Sequence, residues 1–138
     1  MEHKDRECIQ LLYRALNEIP DSPELRLALG LAFVRIEDYK SAETEFRIAA
    51  AARQEDPYYG YVLAIALNGM ERRIEAITVL ESVRALHPYD REVLISLLLW
   101  HHEAERPVLV QEIAATMRSQ FSDDTDINGL LKSLGLED

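Results

Sequence analysis

The chain has 138 residues, enough for one domain with a modest core, and 48% of them are hydrophobic, as in an ordinary folded protein. A formal net charge of −10 speaks against nucleic acid, which needs clustered Lys and Arg, and against an anionic membrane surface; a neutral or basic partner suits it better. Five Gly, five Pro and β-branched residues that never alternate for long favour helix over strand.

The N-terminus, Met-Glu-His-Lys-Asp-Arg, carries no apolar run of the kind a signal peptide needs. Cys8 is the only cysteine, so an internal disulfide is excluded and a reducing compartment is expected. Ile9, Leu12, Leu16 and Ile19 recur at helical spacing and predict a first helix over about 4–19. Ser22-Pro23 and Asp56-Pro57 each place an N-cap residue before a proline at the first helical position, and Asp38 and Asp90 offer similar starts. Paired helices are therefore expected at about 23–36 with 39–53, 57–70 with 73–86, and 91–104 with 107–120, the last opened by Pro107. A short helix with Ile127, Leu131 and Leu134 closes the chain. The longest uncharged stretch, 57–70, is too short to span a bilayer, which needs roughly 20 residues. The expectation is a cytoplasmic protein that does not insert into membranes.

A step of 34 organises these elements. Pro23-Glu24-Leu25 aligns with Pro57-Tyr58-Tyr59 and Arg91-Glu92-Val93. Leu29 aligns with Leu63 and Leu97, Ala42 with Ala76 and Val110, and Phe46 with Leu80 and Ala114. A repeat of this length points to stacked helical hairpins. Small residues, Gly30 with Ala42 and Ala64 with Ala76, allow the two helices of a hairpin to approach closely.

These residues resemble the tetratricopeptide repeat (TPR) family. Leu29-Gly30 followed by Phe33 matches its L-G-x-x-Y run, and Ala42-x-x-x-Phe46 matches its A-x-x-x-F. The second repeat reads Leu63-Ala64, Leu67, Ala76-x-x-x-Leu80 and Pro88. The family's leading tryptophan is absent, its slot being held by Arg26, Gly60 and Leu94. The resemblance implies an all-α, right-handed superhelix (a solenoid) of stacked antiparallel helical hairpins, with about three TPR units and terminal helices, in a single domain. Its segments would be a half-repeat helix over 1–22, repeats over 23–56 and 57–90, a divergent repeat over 91–124, and a capping helix over 125–138. In the divergent repeat Leu98 and Val110 replace small residues while Ala114 replaces a bulky one, an exchange that conserves core volume; His101 takes an aromatic slot. Cys8, Leu12 and Ala15 fall 34 residues before Ala42, Phe46 and Ala49, so the first helix reads as the second helix of a hairpin.

Several stretches imitate chemistry. Asp124-Thr125-Asp126-Ile127-Asn128-Gly129 resembles the first half of a calcium loop, but Gly135 stands where the bidentate Glu belongs, and the period makes this a helix start. His101 and His102 are adjacent on a helix and point about 100° apart, so they do not share one metal ion. His101 is expected in the hairpin core and His102 on the inner surface. Cys8 reads as a small core residue rather than a nucleophile. The arginines interleave with glutamates as on a solvated helical face. No phosphate loop, nucleophile elbow or zinc-protease motif occurs, and the chain is read as neither an enzyme nor a cofactor or metal binder.

In TPR arrays the first helix of each hairpin lines a concave groove that receives peptides. The resemblance implies that here Leu27, Leu31 and Val34; Tyr58, Tyr61, Ile65 and Asn68; and Ile95, Leu99 and His102 do so. The slots where the best-known members grip a C-terminal carboxylate hold Leu27, Leu31, Tyr61, Ile65, Ile95 and Leu99, so that clamp is absent. An apolar groove suits an amphipathic or extended apolar segment, as in TPR export chaperones. The expected function is a scaffold that binds such a segment of a protein partner. The alternative is self-association, as a homo-oligomer or with the groove filled by the rest of a longer chain.

Overall fold

The computed structural model describes residues 2–136. Residues 1, 137 and 138, which belong to the expected terminal segments, lie outside the described residues. Eight helices follow one another among them: α1 (Glu2–Glu18), α2 (Pro23–Arg35), α3 (Tyr39–Ala52), α4 (Pro57–Gly69), α5 (Arg73–Leu86), α6 (Arg91–Glu103), α7 (Pro107–Gln120) and α8 (Thr125–Ser133). For α1 to α7 the observed bounds differ from those expected by no more than one or two residues at each end, whereas α8 ends at Ser133, with Leu134, expected inside the helix, as its C-cap.

Capping chemistry explains that agreement. Ser22, Asp56, Asp90 and Asp124 stand 34 apart, and each side chain accepts a hydrogen bond from a backbone N–H in the first turn of α2, α4, α6 or α8. Those amides have no partner within the helix, so the cap both starts the helix and fixes where it starts. Asp38 does the same for α3 through the amide of Ser41.

The turns inside the hairpins repeat as strictly. The amides of Asp38, Arg72 and Arg106 donate to the carbonyls of Phe33, Leu67 and His101, five residues back, over 2.9–3.0 Å. Such a bond closes a helix end only if the residue before the donor turns left-handed. Glu37, Glu71 and Glu105 do so, at φ of 60°, 61° and 56°. A fourth copy ends α8, where Leu136 donates to Leu131 across Gly135 at φ 70°.

The chain forms two compact units, 1–86 and 87–138. In the first, α1 packs on α2, α2 and α3 form a hairpin, α3 packs on α4, and α4 and α5 form a second hairpin. Leu29, Phe46, Leu67 and Leu80 are buried in this core, with the fully buried Ala42 and Ala76. A Cβ on Gly30 would lie 2.3 Å from Cε1 of Phe46, so the absent side chain is what lets the aromatic ring of α3 come this close to α2. Glu43 of α3 meets Arg72 at 2.7 Å and Arg47 at 2.7 Å, and Arg72 also meets Glu75 at 2.7 Å, which ties the two hairpins together.

In the second unit α6 and α7 form a hairpin and α8 packs on α7. Leu98, Val110 and Ala114 are all buried, so the large-for-small exchange keeps the hairpin. His101 is 2% exposed, in the core as expected. Arg91 at the start of α6 reaches Asp124, the cap of α8, at 2.8 Å.

Candidate functional site

The α4 helix shows how the site arises. Between Pro57 and Gly69 it carries no charge, and Tyr59, Val62, Leu63, Ala64, Ala66 and Leu67 are all buried. It packs on α3 on one side and on α5 on the other, which accounts for a helix with almost no polar face. Its larger side chains outside the core form a narrow strip, Tyr58 and Ile65 exposed and Tyr61 and Asn68 half-buried, spaced three and four apart. The rings of Tyr58 and Tyr61 lie 6.4 Å apart and tilted by 33°, a paired aromatic surface with two phenol tips. Asn68 is engaged within the protein, its Oδ1 accepting from Nε of Arg73 at 3.0 Å.

On α2 the expected residues Leu27, Leu31 and Val34 are half-buried, while Leu29, Ala32 and Phe33 turn inward. Phe33 is also covered by Tyr13 of α1, edge to face at 6.3 Å. In the second unit Ile95 and Leu99 are half-buried on α6 and His102 is exposed. His102 also lines a hollow of about 520 Å³ together with Glu105, Arg106, Val110, Leu134 and Leu136. Within each unit, then, the expected residues are surface or half-surface positions.

The remaining chemical suspects have structural work. Oδ1 of Asp124 accepts from the amides of Asp126 and Ile127, and the carboxylate pairs with Arg91; these contacts hold its pKa down from 3.8 to about 2, with the Arg91 hydrogen bond the largest cause. The calcium-like stretch is a helix start. Cys8, expected as a buried core residue, is only half-buried, at the edge of α1 where Nη2 of Arg35 approaches its sulfur at 4.0 Å.

The sequence reading missed a pocket of about 350 Å³ in the first unit, between α3, α4 and α5. Its signal was present as Gly60, in the slot where the TPR pattern carries a tryptophan.

Hairpins of equal length, caps in a 34-residue register and one recurring turn define the class: a TPR-like helical repeat fold. Among solved structures the chain is similar to "MamA RS-1 ArsTM double mutant", with a TM-score of 0.77 and 20% identity, over 96% of this chain and 74% of that one. At that identity the likeness is one of fold. No protein-family profile matches the chain. No curated protein matches it either. Among the described residues no helix is long and apolar enough to cross a membrane.

Proposed function

We propose that the chain is a protein-interaction scaffold that holds an apolar or amphipathic segment of a partner protein. The observation that carries this reading is the strip of exposed Tyr58 and Ile65 with half-buried Tyr61, on an uncharged helix whose other large apolar side chains are buried. An uncharged surface strip with paired aromatic rings is costly to leave in water and well suited to recognition, because tyrosines offer large rigid contact area with a polar tip. Leu27, Leu31 and Val34 on α2 extend the apolar character within the first unit, and Ile95, Leu99 and His102 form a corresponding set in the second. The net charge of −10 favours a segment whose polar face is basic.

The test uses a defined probe, an 18-residue amphipathic helix of leucine and lysine, measured by fluorescence anisotropy against the full chain. Burying one aromatic or aliphatic side chain contributes about 1.5–3 kcal/mol, so Tyr61→Glu should weaken binding by about tenfold or more. Leu99→Glu tests the second unit separately. Helical content by circular dichroism should not change in either variant. Unchanged affinity in both would mean that these faces are not the site. Sedimentation of the free chain separates out the alternative: a mass that rises with concentration, and falls back in Tyr61→Glu, would assign the strip to self-association.

A further inference from the structure

On α1 a face is open that a hairpin partner covers elsewhere in the chain. A step of 34 carries Cys8, Leu12 and Ala15 onto Ala42, Phe46 and Ala49 of α3, where α2 packs and none of the three is more than 1% exposed. On α1 the same positions are only half-buried, and Leu11 and Ile19 beside them are 62% and 59% exposed. Ile9 and Leu16, which are buried, lie about a quarter turn away, on the side that packs on α2. The open face is apolar, and its small residues Cys8 and Ala15 let another helix approach closely, as Ala42 and Ala49 do in the hairpin of α2 and α3.

The charges along its edge select the occupant. Lys4, Glu7, Leu11, Arg14 and Glu18 fall at steps of three and four, so they form one stripe beside the apolar face, and all five are exposed. Outward from Leu11 the stripe is complementary to itself. Lys4 and Glu18 stand seven residues to either side, and Glu7 and Arg14 stand four before and three after. When two such helices pair antiparallel about Leu11, the stripe faces its own copy and every charge meets its opposite. A parallel pair would set Lys4 on Lys4 and Glu18 on Glu18. Glu7 already touches Nε2 of His3 through Oε1 at 3.1 Å, but both side chains are largely exposed, and a pair so open to water is weak. With three basic and four acidic side chains, α1 carries little of the net charge of −10 that would push two copies apart.

We propose that α1 is a dimerisation helix: two copies of this chain pair antiparallel through Cys8, Leu11, Ala15 and Ile19, with Lys4 of each copy against Glu18 of the other and Glu7 against Arg14. The second copy takes the place on α1 that α2 takes on α3. This surface is separate from the strip on α4 and stands without it.

The test is sedimentation velocity of the full chain from about 5 to 500 µM at physiological salt, because one helix on one helix lies at the small end of specific interfaces and binds weakly. The mass should rise from monomer to dimer and go no further. Leu11→Glu, at an exposed position, should hold the chain monomeric with its helical content unchanged. Lys4→Glu and Glu18→Lys should each weaken the dimer by about tenfold, since either reversal sets like charges opposite one another at two places. Both reversals suit the helix dipole, so lost association would not be lost helix. The double variant, and an equimolar mixture of the two single variants, should recover the original association, which a merely structural role for these side chains would not produce. A monomer at about 500 µM, a dimer that survives Leu11→Glu, or no recovery on combining the reversals would overturn the proposal. So would a dimer lost in Tyr61→Glu, which would move the contact to α4.

Discussion

Glu37, Glu71 and Glu105 show what a single residue can be made to do by its neighbours. Each holds a left-handed backbone, which strains any residue with a Cβ, because the turn bond behind it satisfies an otherwise orphaned carbonyl. Gly135 makes the same turn without that strain. Glu71→Gly should therefore stabilise the first unit by about 0.5–1 kcal/mol, read as a rise in the denaturant midpoint; a fall would show that the glutamate side chain contributes more than its backbone costs. The recurrence of these glutamates at 34 was visible in the sequence, yet glutamate is no turn former, so its spacing carried no conformational message. Aspartate and serine caps were legible because their chemistry names their place.

At the level of the element, helix starts and stops could be read from caps and prolines, and the two faces of α4 could be read from its lack of charge. Contacts between helices could be read less well. Gly30 and Ala42 were expected to let α2 and α3 approach closely, but the partner that fills the space at Gly30, the Phe46 ring 2.3 Å from its missing Cβ, was not named by that pairing. Gly30→Ala should cost about 1–3 kcal/mol, since a gain in helix propensity of about 1 kcal/mol is outweighed by pushing the ring off its seat. Chemical denaturation measures this, and a neutral or stabilising result would mean that α2 and α3 separate easily. The pocket beside Gly60 was hidden for the same reason. A repeat pattern tells which slot lacks its side chain, but only the rotamers of Val79 and Val83 decide whether the space closes or stays open.

For the whole molecule, the 34-residue register was the most legible feature, and it carried the fold class. The division into units 1–86 and 87–138 was not legible, since the caps continue across that boundary without a break in spacing. Acid response also belongs at this scale. Asp124 is held near 2, and Glu24, Glu43 and Glu75 are held below their usual range by Arg53 and Arg72. Carboxylates with lowered values support folding fully above about pH 5, beyond their unfolded values, and cease to do so as pH falls through the lowered values. Stability should therefore decline between about pH 5 and 2, and Asp124→Asn, which removes its titration, should flatten the acid limb of the second unit. A carboxyl carbon titration that placed Asp124 near 3.8 rather than about 2 would contradict the role given to Arg91.

The register of Ser22, Asp56, Asp90 and Asp124 has a consequence for how such a chain changes length. Excising residues 57–90 would join Asp56 directly to Arg91, and an aspartate would still stand ahead of the helix that begins there. Duplication of the same segment would be equally silent at its seams. Unequal recombination in the coding sequence can thus add or remove a whole hairpin without ever making a junction that the protein does not already contain, and what selection then sees is only whether the neighbouring faces still fit.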